Sequence, residues 1–364
     1  MTDGRKKGRL PIWCLVFFGI GAFSLCLLLL ALISSRFANF YNATFAAFLR
    51  GLTACATSFL PFSLAEILLY TLPFAALALA VFASRRYGSS WRDVGRFFVM
   101  IAAVAVLLFS MFLQTLGIGY HTEPLDRRLA YRETEVNVET LRETAETLAC
   151  EVNMLADEIT YGEDGFSVMP YDLDGMNERL LEAYAPLSAQ YTFIQPLRSR
   201  IKPVMSSRLM SYTHITGVYS FYTGEANLNT HFPDYTLPYT AAHELAHQRG
   251  VARENEANFV AFLVALQSED VYIRYCGYLN MLEYVSGALY DADAAAYVEV
   301  MRSLDARVIG ELRAYAHFFE VFEDSAAADV SDAVNDAYLK VNGSEAGTKS
   351  YGLVVELAVA YYHQ

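Results

Sequence analysis

Two histidines stand four residues apart in the run His243-Glu244-Leu245-Ala246-His247. On a helix that spacing puts both imidazoles on one face, one turn apart, where both can reach a single metal ion. Glu244, directly after the first histidine, points to the side of such an ion. There it can accept a proton from an attacking water and pass it to a leaving amine. Imidazole and carboxylate ligands suit zinc, which in catalytic sites takes three protein ligands and leaves a fourth position open. The chemistry implied is zinc-assisted hydrolysis of a peptide bond.

These residues need a helix to hold them and a third ligand to complete them. Pro238 and Thr240 can start the helix, and Gly250 can end it in a left-handed cap. A second helix is predicted from about Arg253, with Glu254 and Glu256 in its first turn beside the two histidines. Either carboxylate is a candidate third ligand.

The run from Pro238 to Phe259, including His243-Glu244, His247, Gly250, Glu254, Glu256 and Asn258, resembles a family of bacterial membrane proteins catalogued as a domain of unknown function with a zincin-like signature. The resemblance extends upstream to Lys202-Pro203, Ser211-Tyr212, Gly217-Val218-Tyr219 and Thr223-Gly224-Glu225-Ala226-Asn227. Downstream it takes in Tyr275 to Leu279 and Tyr338 to Gly343, so that it covers nearly the whole chain. It implies a fold and a metal site, without an established substrate. The pattern Glu254-x-x-Ala257-Asn258 is similar to that of zincin peptidases whose third ligand is a glutamate, which implies Glu254 as the ligand and leaves Glu256 as its competitor. Glu254 follows His247 by only seven positions. That tight connection depends on the turn at Gly250. Arg253 stands where another zincin group carries a third histidine, so a three-histidine site is excluded.

The first third of the chain reads as membrane. Mostly apolar stretches cover residues 11–35, 59–84 and 97–120, the first and third without a charge and the second with Glu66 near one end and Pro73 inside, each long enough to cross about 30 Å of hydrocarbon as a helix. A cleaved signal peptide is the rival reading of the first stretch, but its apolar run is longer than a signal core and two more spans follow. Basic residues concentrate in the amino-terminal tail (Arg5, Lys6, Lys7, Arg9) and between the second and third spans (Arg85, Arg86, Arg92, Arg96), whereas the loop after the first span has only Arg36 and Arg50. Such residues stay on the cytoplasmic side, which places the amino terminus inside and residues 121–364 outside. The expected organisation is a three-helix anchor over 1–120 and an extracytoplasmic catalytic domain over 121–364.

Charge separates the two parts. Residues 1–118 carry ten Lys/Arg and three Asp/Glu, while residues 119–364 carry seventeen and thirty-seven, giving +7 and −20. An acidic domain repels phosphate backbones, so nucleic acid is excluded as a partner and the expected partners are lipid and a peptide or protein substrate. Cys14, Cys26 and Cys55 fall in or near apolar stretches, and Cys150 and Cys276 show no ligand spacing.

In the acidic part, apolar residues from Leu125 to Ile159 recur at three- and four-residue steps, predicting amphipathic helix from Glu123 to Ile159. Tyr161 to Pro170 reads as a loop, and Met176 to Ala183 resumes helix. Thr216 to Tyr222 is β-branched and aromatic, which predicts a strand, either interior or at an edge where a substrate backbone could pair. From Thr240 onward helical periodicity dominates. The fold expected is mainly α, an α+β domain with a small sheet on three transmembrane helices. Tyr239, Arg253 and Tyr275 are candidate donors to a developing oxyanion. His121, His214, His231, His317 and His363 lack ligand spacing, and Glu66 sits at the outer end of the second span, where a carboxylate is cheap. Two other functions fit the same residues: a zinc-site sensor signalling through the spans, and an amidase acting on cell-wall material. A purely structural zinc site would more often fill all four positions with Cys or His, so Glu244 favours the enzyme.

Overall fold

A computed structural model describes residues 10–87, 90–341 and 352–364. The basic tail residues Arg5, Lys6, Lys7 and Arg9, and the pair Asn342-Gly343, lie outside the described residues. Among those described, three helices are long and apolar enough to cross a membrane. The first is α1 (Ile12–Ile33); a helical segment follows, made of α2 (Ser35–Tyr41), a π-helical turn (Asn42–Ala46) and α3 (Ala47–Thr57); then come α4 (Leu64–Tyr87) and α5 (Trp91–Thr115). The second helix starts later than its apolar run because the chain turns at Ser58-Phe59 and bends at Pro61-Phe62, and Ser63 Oγ accepts the Glu66 N–H at 3.0 Å. The third starts earlier, since Ser90 caps it through the Asp93 N–H, and stops at Thr115, ahead of a 3-10 turn over Gly117–His121. α1 and α5 lie side by side. Gly21 of α1 leaves the space that Val106 of α5 occupies, and Gln114 Nε2 donates to Ser24 Oγ at 2.7 Å.

The segment between the first and second apolar helices is not a simple loop. It is helical almost throughout, and Asn42, Arg50 and Thr57 face the rest of the protein. Arg50 is fully buried, donating through Nη1 to Asn42 Oδ1 and Thr115 O and through Nη2 to Asn42 O at 2.8–2.9 Å. Phe45, Phe48 and Leu52 are exposed on its other side.

Beyond residue 121 the chain forms α6 (Leu125–Arg128), α7 (Val138–Ala156), α8 (Leu173–Gln190), β1 (Lys202–Pro203), α9 (Ser207–Met210), β2 (Gly217–Ser220), β3 (Glu225–Leu228), α10 (Leu237–Gln248), α11 (Glu254–Gln267), α12 (Val271–Ala292), α13 (Ala294–Ser303), α14 (Ala306–Phe319), α15 (Ala326–Val341) and α16 (Gly352–Tyr362). The architecture is the mainly helical α+β fold that the periodicity predicts. One continuous helix from Glu123 to Ile159 does not form. It breaks between α6 and α7, where Ala130 adopts φ 58° and Asn137 opens α7 with a capping box to Thr140. Such a cap contributes about 1 kcal/mol, and a three- to four-residue apolar rhythm that runs across the break cannot reveal it.

The sheet has the order β1-β3-β2, with β1 parallel and β2 antiparallel to β3. β2 is therefore an edge, which decides between the two readings of Thr216 to Tyr222. The core gathers α7, α8, α10, α11, α12 and α16 around Leu148, Leu180, Leu245, Phe259, Phe262, Leu279 and Val359, all buried. α10 and α11 run through its centre, so the helices carrying the motif are held by packing on nearly every side.

Two carboxylates lock α4 to the sheet. Glu225 of β3 accepts the N–H groups of Leu64 and Ala65 at 3.0 and 2.9 Å, at the positive end of α4, and pairs with Lys202 Nζ at 2.6 Å. Glu66 of α4 accepts in return the N–H groups of Met205 and Ser206, both at 2.9 Å. The sequence marked Glu66 as a cheap interfacial charge; the structure makes it a ligand for the backbone leading into α9.

Candidate metal centre

α10 begins with Pro238 near its amino end, where a missing N–H costs nothing, and ends at Gly250, whose φ is +104°. A side chain at 250 would be strained and would meet Arg50, with the Nη2 atom 2.5 Å from an added Cβ. Asn42 Nδ2 donates to Gly250 O at 2.8 Å. The turn that reverses the chain from α10 to α11 is thus fixed by residues from the segment between the first two apolar helices. Gln248 and Arg249 are fully buried beside it: Gln248 Nε2 donates to Gly224 O at 2.6 Å, and the Arg249 guanidinium lies 4.2 Å over the Tyr184 ring and donates to Leu197 O.

α11 then presents its first residue to α10. His243 Nε2 and His247 Nε2 are 3.0 Å apart, and Glu254 Oε2 is 3.1 and 3.3 Å from them. The structure brings His243, His247 and Glu254 together as the single group of at least three His, Cys, Asp or Glu able to hold a metal among the described residues. Glu256 points elsewhere. It accepts from Leu125 N at 3.0 Å and is paired with Arg253 at 2.6 Å and with Arg128, its side chain 3% exposed. Helical rotation separates the two candidates: a step of two residues turns a side chain by about 200°, so the two carboxylates face opposite sides of α11.

The donors fit a metal. With ligand bonds of about 2.1 Å and tetrahedral angles, neighbouring donors should lie about 3.4 Å apart, close to the spacing found. The ring nitrogens facing away are also engaged. His243 Nδ1 lies 2.8 Å from Asn258 Oδ1, and His247 Nδ1 lies 2.8 Å from Val251 O. Both partners are acceptors, so each Nδ1 donates a proton to its partner and each Nε2 is left facing Glu254, the nitrogen available to a metal ion. Burial would lower the His247 pKa, but the Glu254 carboxylate beside it pushes it up to about 9. Glu254 itself, which burial alone would raise, is held well below the usual carboxylate range by the two imidazoles. A cation entering this group displaces a proton and meets a carboxylate already ionised.

Glu244 is 6% exposed and lies under the edge strand. It accepts the Tyr219 N–H, and a Cβ on Gly217 would fall 2.6 Å from its Cγ, so the absence of a side chain at 217 makes its room. Burial raises its pKa, partly offset by His243 and His247. A carboxylate so placed is a better proton acceptor than one in water.

The three expected oxyanion donors are committed elsewhere. Tyr239 Oη donates to Asn258 O at 2.8 Å, Tyr275 Oη to Glu311, and Arg253 to Glu256 and the carbonyls of Tyr120 and Thr122. Tyr120 and Tyr338, whose hydroxyls are 3.1 Å apart, are the tyrosines whose pKa the Glu254 charge helps to raise, after burial. Sequence reasoning assigned neither a role. It also missed Asn258 as the partner of His243, and Asn42, Arg50 and Gln248 as supports of the turn.

These features define a mainly helical protein with three helices long and apolar enough to cross a membrane and a His-His-Glu group able to hold a metal ion. The chain belongs to the family described as "Protein of unknown function (DUF3810)", whose sequence model matches residues 41–359. No curated protein and no solved structure gives a match.

Proposed function

We propose that this protein is a zinc-dependent peptidase of zincin type, anchored in the cell membrane by α1, α4 and α5, with its amino terminus cytoplasmic and residues 121–364 on the extracytoplasmic side. The observation that carries the reading is the convergence of His243 Nε2, His247 Nε2 and Glu254 Oε2 at 3.0–3.3 Å, with both Nδ1 atoms bonded to acceptors and Glu244 buried alongside. Zinc held by those three residues would supply Lewis acidity toward a carbonyl and ease ionisation of a water.

The chain's own residues do the rest. Asn258 Oδ1 and the Val251 carbonyl orient the two rings. Glu244 takes the proton of the attacking water and returns it to the leaving amine. The outer edge of β2 runs beside Glu244, where a peptide backbone can pair with it as an added strand. The substrate is extracytoplasmic protein or peptide. Purified full-length protein should release peptides from casein and leave isolated cell wall intact. The reverse pattern would replace the peptidase by an amidase, and inertness toward both would favour a sensor.

The side of the membrane is tested separately. Because arginines cluster between the second and third apolar helices, an alkaline phosphatase fusion after Gln364 should be active and one near Ser89 inactive. The opposite pattern would overturn the extracytoplasmic assignment.

A further inference from the structure

The candidate metal centre is built against the outer ends of the apolar helices. Gly119, four residues past the end of α5, is in contact with Ala252, two residues before Glu254: a Cβ there would lie 2.9 Å from that of Ala252. Arg253 Nη2 ties the same turn to Tyr120 O and Thr122 O at 2.8 and 2.6 Å. On the strand side, the Phe221 ring lies 5.1 Å from the ring of Phe112, a residue within α5, and Tyr219 joins the same cluster with Leu113 and Leu116. Ahead of β2, Ser206 Oγ receives the Tyr70 hydroxyl at 2.6 Å, from the second turn of α4. Both the ligand turn and the substrate edge therefore sit at the level where the apolar helices end.

The surface around them carries several bare apolar side chains. Met205 is 84% and Leu209 66% exposed beside α4, and Val218 is 45% exposed on the edge strand itself. Across the site, the segment from α2 to α3 buries Asn42 and Arg50 and exposes Phe40, Phe45 and Phe48. Polar side chains turned inward and aromatic ones outward suit a surface covered by lipid rather than by water. With α1, α4 and α5 crossing a bilayer, this arrangement would hold the edge strand at its surface, where a folded soluble protein cannot easily lay a strand across it. A chain emerging from the same membrane is delivered to it at the high effective concentration of a short tether.

We infer that the substrates are polypeptides anchored in the same membrane and cut within the first residues after their exit from lipid. The inference rests on the peptidase reading and adds its substrate class. The test uses full-length protein in phospholipid vesicles and two probes: a single-span polypeptide with a randomised juxtamembrane segment, and the same segment on a soluble carrier. The anchored probe should be cut at least about tenfold faster. Its cut site should stay at a constant distance from the span when a Gly-Ser spacer is inserted. Equal rates, or a cut that moves outward with the spacer, would overturn the inference while leaving a peptidase. Absence of cutting in both probes would refute the peptidase reading and this one with it. A second readout needs no activity: a nitroxide at Val218→Cys, with exposed Cys26, Cys55 and Cys150 replaced by Ser, should be relaxed more by oxygen than by a water-soluble nickel complex. Stronger relaxation by nickel would put the edge strand in water and overturn the inference.

Discussion

Glu244→Gln is expected to bind zinc as the native chain does and to lose peptide hydrolysis by a factor of about 10² to 10⁴, the usual contribution of a positioned general base. The carboxamide fills the same space beneath Gly217 and keeps an oxygen for the Tyr219 N–H, so the fold and the ligands remain in place. What it cannot do is accept a proton. Metal content measured alongside hydrolysis separates this from unfolding, since a collapsed site would lose both. Full hydrolysis in the variant would exclude Glu244 as the base, and with it the mechanism, because His243, His247 and Glu254 are all engaged with one another.

Glu254→Ala and Glu256→Ala, two residues apart on one helix, should fail in different ways. Removing Glu254 takes away one of three donors, and if the roughly 10–16 kcal/mol of a strong zinc site is shared equally among them, affinity should fall on the order of a few hundredfold to ten-thousandfold. His243→Ala and His247→Ala should behave likewise. Asn258→Ala removes only the acceptor that orients His243, for which about 10- to 100-fold is expected. Glu256→Ala should keep its metal and lose stability, by about 3–5 kcal/mol, because it strands the buried Arg128 without its partner. Zinc titration and thermal denaturation of the set distinguish the two classes. An exchange of the two results would move the third ligand to Glu256.

The grouping of His243, His247 and Glu254 was legible because its geometry is local. His243 and His247 are one helical turn apart, and Gly250 announces the reversal that brings Glu254 back to them. The choice between Glu254 and Glu256 rested on resemblance alone until the pairing of Glu256 with Arg128 and Arg253 showed where that side chain goes. The supports of the turn were hidden by distance along the chain. Asn42 and Gly250 are 208 residues apart, and nothing in a periodic pattern links them. One signal was available: Asn42 and Arg50 are strongly polar residues flanked by Phe, Ala and Leu, and polar side chains buried there are expensive unless they bond to something. The edge position of β2 was illegible for another reason, since alternation over four residues describes a strand and says nothing of its neighbours.

The same long-range contacts dictate how the central claim is best measured. Asn42 and Arg50 hold the turn between α10 and α11, so the zinc content of the full-length protein, purified in detergent without chelators, is the decisive quantity. Zinc near one equivalent per chain is expected, falling in His243→Ala but not in Glu244→Gln. A folded chain carrying less than about 0.1 zinc, when a three-ligand site should hold the ion tightly, would contradict the account.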